Sequence, residues 1–200
     1  IRNRWYAAKP ELRWLREKVR PYLTEKRARH VAGCEEQAVK LAKRWGADVY
    51  EAAEAGILHD ITKKLSDEEQ LIMCDKYGII LDAAERRSPR ILHARTGAAL
   101  AREKFGIPDG IYSAIRWHTT GKPDMTLLEK IIYISDYIEP MRNKASNLDD
   151  VRKMAFVDLD ETLFKILSDT LVFLQNSSKK MDPMTTETYE YYKKHRNPAT

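Results

Sequence analysis

Residues 148–174 read LDDVRKMAFVDLDETLFKILSDTLVFL and have the most regular apolar spacing in the chain. Apolar residues recur there every three or four positions, the spacing at which side chains share one face of an α-helix. The stretch therefore predicts one long amphipathic helix, with an apolar face formed by Leu148, Val151, Met154, Ala155, Leu159, Leu163, Ile166, Leu167, Leu171 and Leu174.

The same helical period extends outward to almost every other segment, and no segment alternates with the period of two that is typical of a strand. Two capping boxes, Ser66 with Glu69 and Thr126 with Glu129, predict where helices begin. The fold class that follows is all-α, a single-domain helical bundle. Its other predicted helices cover residues 12–23, 24–46, 48–58, 66–78, 88–106, 109–121 and 127–138.

Length and composition are those of one globular domain with its own core: 200 residues, 43% hydrophobic and 32% charged. No apolar run approaches the ~20 residues that a membrane-spanning helix needs. The 35 basic and 30 acidic residues leave a net charge of +5, which favours a compact anionic ligand over nucleic acid.

The chain has two cysteines, Cys34 and Cys74, which form no CxxC pattern and are too few for a disulfide framework. A reducing, cytoplasmic compartment is therefore expected. No signal-peptide pattern is present near the start. Because the chain begins at Ile1 rather than Met, a fragment or a lost leader stays open.

Five histidines carry most of the chemical information, and four of them lie in helical segments. His195 falls in a polar tail, where a solvated role is expected. His59 is followed directly by Asp60, and adjacent residues of a helix point about 100° apart. Their side chains can converge on one ion only at a helix end or in a bent turn, which the following Thr62-Lys63 favours.

An imidazole beside a carboxylate suits Fe, Mn, Zn or Ni better than Ca or Mg. Further ligands are available in His30 and in Asp136, whose carboxylate lies within the apolar segment 131–138 and is costly to bury without a cation or hydrogen bonds. Each residue alone has an ordinary structural explanation. Asp60 could cap a helix, and Asp136 could pair with Arg142 or Lys130.

The order His, His-Asp, Asp on an all-α chain resembles the HD superfamily of metal-dependent phosphohydrolases. Longer strings of residues resemble the bacterial YqeK family, whose members cleave diadenosine tetraphosphate symmetrically into two ADP. The strings are Arg27-x-x-His30-x-x-Gly33-Cys34, Leu58-His59-Asp60-Ile61-Thr62-Lys63, Leu92-His93-Ala94-x-Thr96-Gly97-Ala98, His118-Thr119-Thr120-Gly121 and Tyr137-Ile138-Glu139-Pro140-x-Arg142.

The likeness implies an HD domain over residues 21–192, preceded by a helical extension at 1–20 and followed by a polar tail at 193–200. Two departures stand out. Asp182 replaces a His that helps the family hold nucleotide, which leaves that contact open, and Ser135 replaces a more usual Ala.

Carried over residue by residue, the resemblance implies an iron site formed by His30, His59, Asp60 and Asp136. That ion would polarise a phosphoryl oxygen and lower the pKa of a bound water, the nucleophile. Lys63, Asp60 and His118 would act in catalysis, with His118 or His93 as proton donor to the leaving ADP. Substrate-binding residues would be His30, Asp60, Lys63, His93, His118, Thr119, Asp136 and Arg142.

Several alternatives remain at this level. One tightly held metal ion is favoured. His93 and His118 nevertheless lie between the His-Asp pair and the last Asp, where some HD enzymes have two histidines that hold a second ion. Mn or another divalent ion could substitute for iron. The expected partner is a dinucleoside polyphosphate or ADP-like nucleotide, with no nucleic acid or membrane, and a homodimer is open. The competing functions are another HD nucleotide phosphohydrolase and a non-catalytic nucleotide-binding module.

Overall fold

A computed structural model describes residues 10–86, 89–143, 145, 147–176 and 182–196, and within these ranges the chain is helical without strands. This confirms the all-α prediction. Short 3₁₀ turns occupy Arg20–Tyr22 and Pro89–Ile91. The α-helices are α1 (Leu12–Val19), α2 (Glu25–Trp45), α3 (Val49–Leu58), α4 (Asp67–Lys76), α5 (Ala83–Arg86), α6 (His93–Phe105), α7 (Asp109–Trp117), α8 (Leu127–Ile138), α9 (Leu148–Met154), α10 (Leu159–Gln175) and α11 (Pro183–His195).

The helix starts that rest on side-chain caps lie where the sequence predicts them. Both capping boxes are formed, at the starts of α4 and α8. Thr24 caps α2 by accepting the Arg27 N–H, and Asp48 caps α3 in the same way. Gly46 ends α2 in the left-handed conformation, with φ of 79°, which glycine adopts without steric cost.

The prediction of one continuous helix over residues 148–174 is wrong, because the chain forms α9 and α10 with a break between them. Asp158 is extended, with φ of −144°, and its side chain accepts the N–H of Glu161. That bond makes Asp158 an N-cap, which starts a new helix instead of continuing the old one. Most of the predicted apolar face is nevertheless buried, with Val151 in α9 and Leu163 in α10 both without solvent exposure.

The helix predicted from residue 88 also begins later. Pro89–Ile91 form the 3₁₀ turn, and α6 starts at His93, while Ser88 lies outside the described residues. Towards the C-terminus, Lys193 to His195 belong to the last turn of α11, where the sequence led us to expect a polar tail; residues 197–200 lie outside the described part.

The core is built around α2, which packs against α3 and α8. Large apolar side chains without solvent exposure fill it, among them Leu41, Ile57 and Ile131. The N-terminal segment joins the same core, because Leu15 and Val19 of α1 are buried in it. No described helix is long and apolar enough to cross a membrane.

The close approach of α2 and α3 depends on Gly56. A Cβ placed there would lie 2.8 Å from the Cα of Glu35 in α2, a backbone atom that cannot move alone. This packing brings the end of α3 against Glu35 in the middle of α2, about one and a half turns after His30.

We expect Gly56→Ala to destabilise the fold by about 1–3 kcal/mol because the added methyl group pushes two packed backbones apart. At about 2–4 °C per kcal/mol for a chain of this size, thermal unfolding followed by circular dichroism resolves the loss. Gly110→Ala in α7 is the matched control, since a Cβ there meets nothing within 4 Å. A Gly56→Ala protein as stable as Gly110→Ala would contradict this account.

Candidate metal centre

The adjacent pair His59-Asp60 lies at a helix end, as its spacing predicts. α3 ends at Leu58, His59 is its C-cap, and Asp60 lies in the turn that follows. Because the backbone leaves the helix at this point, the two side chains point into the same space. Both are almost completely buried.

The first group of candidate ligands combines this pair with residues from α2 and α8. The Nε2 atom of His30 lies 3.2 Å from Nε2 of His59 and 3.1 Å from Oδ1 of Asp136. Oδ2 of Asp60 is 3.4 Å from each of these two Nε2 atoms. The structure thus brings together His30, His59, Asp60 and Asp136, the set that the resemblance implies as an iron site.

The second group lies on the other oxygen of the same carboxylate. Oδ1 of Asp60 is 3.3 Å from Nε2 of His93 and 3.6 Å from Nε2 of His118. These two Nε2 atoms are 3.2 Å apart. Asp60 therefore stands between two pairs of histidines, with one oxygen facing each pair.

All four histidines point Nε2 into the cluster because Nδ1 is engaged elsewhere. Nδ1 lies 2.8 Å from the Gly56 carbonyl in His59, 2.7 Å from a backbone carbonyl in both His93 and His118, and 3.1 Å from Oε1 of Glu139 in His30. Since these oxygens only accept, each Nδ1 carries the proton.

Four Nε2 atoms and the Asp60 carboxylate therefore converge in a buried space. Nitrogen lone pairs about 3 Å apart repel unless a proton or a cation lies between them. The donor set, imidazole plus carboxylate, is one that divalent transition metals prefer. The outward Nδ1 bonds match the way in which metal-bound histidines are oriented. The residues present therefore fit a divalent metal ion.

The electrostatics of the cluster favour ionised carboxylates. Burial alone would raise the pKa of Asp60, but nearby His59, His118 and His30 outweigh it and hold that pKa well below its usual range. Burial likewise opposes protonation of His30, yet its hydrogen bonds to Asp136 and Asp60 raise its pKa to about 9. Burial lowers the pKa of His93 to about 4.

Of the residues expected to face phosphate, Lys63 and Arg142 both reach the cluster. Nζ of Lys63 lies 3.1 Å from Nε2 of His93, and burial lowers the pKa of this lysine. Nη2 of Arg142 lies 3.5 Å from Oδ1 of Asp136. The two cations thus flank the second and the first ligand group, respectively.

Two cavities share Thr119 in their walls, and the larger one adjoins the cluster. The larger, of about 730 Å³, is lined by the expected site residues His118, Asp136 and Arg142. The smaller, of about 380 Å³, has Asp182 in its wall. Asp182 is also the N-cap of α11 and accepts the Met184 N–H at 2.8 Å, which gives this carboxylate a structural task.

The surroundings of Asp136 distinguish the two cations that could pair with it. Arg142 is its neighbour, whereas Lys130 is paired with Asp160. Ser135, beside Asp136, has a buried hydroxyl oxygen with no hydrogen-bond partner among the described residues, so the alanine typical of the family would fit this space.

Sequence reasoning missed two residues that contact the cluster. Nη1 of Arg27 lies 2.7 Å from Oδ2 of Asp60, and Glu139 accepts the His30 Nδ1–H. Both belong to the motif strings, but neither has a role assigned from sequence. Arg27 is three positions before His30, so helical spacing already places it on the same face. No comparable local signal exists for Glu139, which is remote from His30 in sequence.

Comparison with known proteins identifies the family to which this chain belongs. Residues 27–141, which contain His30, the His59-Asp60 pair and Asp136, match the HD domain. The chain belongs to the HD-domain family. Among HD-domain relatives, a Bacillus subtilis (strain 168) protein named Bis(5'-nucleosyl)-tetraphosphatase, symmetrical, is 41% identical over 177 residues, which covers 86% of this chain and 92% of that one.

Other HD-domain proteins agree with this assignment. A Staphylococcus aureus protein of the same name is 35% identical and covers 85% of this chain and 88% of its own. A Clostridium acetobutylicum crystal structure, described as a predicted HD superfamily hydrolase involved in NAD metabolism, gives a TM-score of 0.89 at 34% identity, over 94% of this chain and 100% of that one. The resemblance to the YqeK-type HD proteins is confirmed.

We expect metal binding to the metal-free protein at pH 7 to release protons, because a His30 with a pKa of about 9 is protonated there and must become neutral to act as a ligand. Calorimetric titration with Mn²⁺ in buffers of different ionisation enthalpy measures this release. The same titration at pH 9, where about half of His30 is already neutral, is the control and should show a smaller proton release. A binding enthalpy that is the same in every buffer would contradict the prediction.

Proposed function

We propose that this protein hydrolyses diadenosine tetraphosphate symmetrically into two molecules of ADP. The observation that carries the proposal is the convergence of four Nε2 atoms on the two oxygens of Asp60. The curated relatives support the choice of substrate, because those named symmetrical bis(5'-nucleosyl)-tetraphosphatases are 35–41% identical over most of the chain.

The metal we propose is iron, with Mn or another divalent ion as a substitute. His30, His59, Asp60 and Asp136 would hold it. When bound, the ion supplies positive charge that polarises a phosphoryl oxygen and acidifies a nearby water.

The second ligand group supports a weaker site for another ion. It offers His93, His118 and only the shared carboxylate of Asp60, whereas the first group adds a carboxylate of its own. In addition, the Lys63 ammonium lies 3.1 Å from Nε2 of His93, and its charge repels a cation. We therefore keep the expectation of one tightly held ion, with a second held less tightly. Metal analysis after dialysis measures the ratio of ions to chains.

The side chains around the metal centre would bind the phosphates and supply protons. Lys63 and Arg142 supply positive charge for the phosphates, and a guanidinium can bind a phosphate through two parallel hydrogen bonds. The Nδ1–H of His118 is hydrogen-bonded to the Ile115 carbonyl, so His118 can donate a proton to the leaving ADP only when its Nε2 is protonated and holds no metal ion. Thr119 adds a hydroxyl at the wall shared by both cavities.

The larger cavity is our proposed place for one half of the substrate. Its volume, about 730 Å³, lies in the range of nucleotide-sized pockets. Arg142 and Asp136 line the end next to the metal centre, and the rings of Tyr137 and Phe173 line the same cavity. Aromatic faces suit the stacking of a base.

The competing functions are less well supported. A non-catalytic nucleotide-binding module has no need for four buried histidines around one carboxylate. Another HD phosphohydrolase would share the centre, but the names of the curated relatives do not favour it. The cytoplasmic compartment stays a proposal, supported by two cysteines that are free and buried.

The decisive experiment is chromatography of the products formed from diadenosine tetraphosphate by the anaerobically iron-loaded protein. We expect ADP as the sole product, and no turnover by Asp60→Ala, because this change removes the carboxylate shared by both ligand groups. ATP with AMP would contradict symmetrical cleavage. Absence of turnover in the loaded wild-type protein would overturn the substrate proposal.

A second experiment separates phosphate handling from metal binding. Lys63→Ala should keep its metal but lose about 2 kcal/mol or more of transition-state stabilisation, a roughly 30-fold decrease in catalytic efficiency, since a charge on the phosphates is lost. Lys64→Ala is the matched control, because the neighbouring Lys64 is exposed and its ammonium donates to the Pro21 carbonyl instead. Steady-state kinetics on both variants measure the difference. Wild-type catalytic efficiency in Lys63→Ala would remove this lysine from the mechanism.

A further inference from the structure

His30 differs from the other histidines of the cluster in how its Nδ1 is held. His59 and His118 follow the last residues of α3 and α7, and His93 follows a 3₁₀ turn. Carbonyls near helix ends lack a helical N–H partner, so they are free to accept the imidazole proton. In each case the acceptor is the carbonyl three residues earlier.

His30 has no such option, since it lies inside α2, where the preceding carbonyls are used by the helix itself. A side chain from elsewhere has to accept its Nδ1 proton. Glu139, the residue directly after α8, does so through Oε1 at 3.1 Å. Asp136, one helical turn earlier, holds the opposite ring nitrogen at 3.1 Å. The end of α8 therefore clamps both nitrogens of one imidazole.

The Glu139 carboxylate is itself held in place. Its Oε2 accepts the backbone N–H of Met141 at 2.7 Å, so each carboxylate oxygen has a donor. The following Pro140 restricts Glu139 to extended backbone, which matches its ψ of 147° and ends the helix there. Arg152 donates to the carbonyls of Ile138 and Glu139, both at 3.0 Å, and fixes the segment further.

The space for this carboxylate is made by Gly33, one turn after His30 on α2. A Cβ at this position would lie 2.9 Å from Oε2 of Glu139 and 3.0 Å from Cδ of Pro140. Glycine inside a helix costs about 1 kcal/mol relative to alanine. Its presence here is explained by the approach of Glu139. The motif string that contains Gly33 and the one that contains Glu139 are therefore in direct contact in the structure.

We propose that Glu139 is a positioning residue for the metal centre, which fixes His30 in the Nδ1–H tautomer and directs its Nε2 to the ion beside Asp136, and that Gly33 provides the necessary space. Carboxylates that accept a hydrogen bond from a metal-bound histidine orient the ring and strengthen it as a ligand. This inference rests on the proposed metal site but not on the identity of the substrate.

Glu139→Gln is the sharpest test, because the amide has nearly the same shape but only one accepting oxygen. Two donors, His30 Nδ1–H and Met141 N–H, then compete for it. Loss of such a partner weakens metal binding by about 10- to 100-fold. We expect a Kd for Mn²⁺ raised by this factor in calorimetric titration, and an altered visible absorption spectrum of the Co²⁺-loaded protein.

The matched control is Glu129→Gln at the opposite end of α8. Glu129 is also a buried carboxylate with both oxygens engaged, by the Thr126 N–H at 2.6 Å and by the Ser113 hydroxyl. It contacts no residue of the metal centre, so its loss should lower thermal stability without changing metal affinity or the Co²⁺ spectrum. A purely structural role for Glu139 would make the two variants behave alike.

Gly33→Ala gives a second and independent measurement. Its methyl group displaces the Glu139 carboxylate without removing any polar group from the protein, and alanine favours the helix. Weakened Mn²⁺ binding in Gly33→Ala and Glu139→Gln, with wild-type binding in Glu129→Gln, supports the proposal. Wild-type affinity and spectrum in either of the first two variants would overturn it. Failure of the wild-type protein to bind Mn²⁺ would instead overturn the metal site itself.

Discussion

The site depends on one carboxylate, that of Asp60, whose two oxygens each face a pair of histidines. Burying a carboxylate is costly unless opposite charge or hydrogen bonds surround it. Here Arg27 lies 2.7 Å from one oxygen, and four imidazoles lie within 3.3–3.6 Å of one oxygen or the other. These partners come from several helices or the turns beside them. The helices therefore have to pack in a single arrangement to surround the negative charge of Asp60 with hydrogen-bond donors.

Helix ends are the device by which the chain orients its histidines. A histidine just beyond a helix can donate Nδ1–H to a carbonyl that the helix leaves unused, and its Nε2 is then available as a ligand. His59 and His118 are held in this way. His30, inside a helix, requires the Glu139 carboxylate in place of a carbonyl. In both cases Nδ1–H is hydrogen-bonded and Nε2 faces the metal centre. Whether a carbonyl or a carboxylate accepts the hydrogen bond depends on where the histidine lies relative to a helix end.

Close helix packing makes this arrangement possible, and two glycines mark where it is tightest. Gly56 lets α3 approach the backbone of α2, and Gly33 lets the end of α8 approach α2 on another side. Both contacts lie within one or two turns of His30 or His59. The centre is therefore positioned by backbone proximity as well as by side-chain bonds, which accounts for glycine inside helices despite its low helical propensity.

Much of this protein could be predicted from local sequence. Helical periodicity and the two capping boxes specify helices through contacts within a few residues, and the adjacency of His59 and Asp60 already requires a helix end. Motif strings indicated the family. Yet periodicity alone missed the Asp158 cap that divides residues 148–174, because apolar spacing continues across the break.

Tertiary structure decided which distant residues meet. Asp60 acquires His93 and His118 only when α6 and α7 pack beside the turn after α3, and Glu139 reaches His30 only across the α2–α8 contact. The cavity beside Arg142 likewise exists only between packed elements. Local sequence determines hydrogen bonds over one or two turns, whereas a shared ligand set depends on distances between helices, which only the packing of the whole core determines.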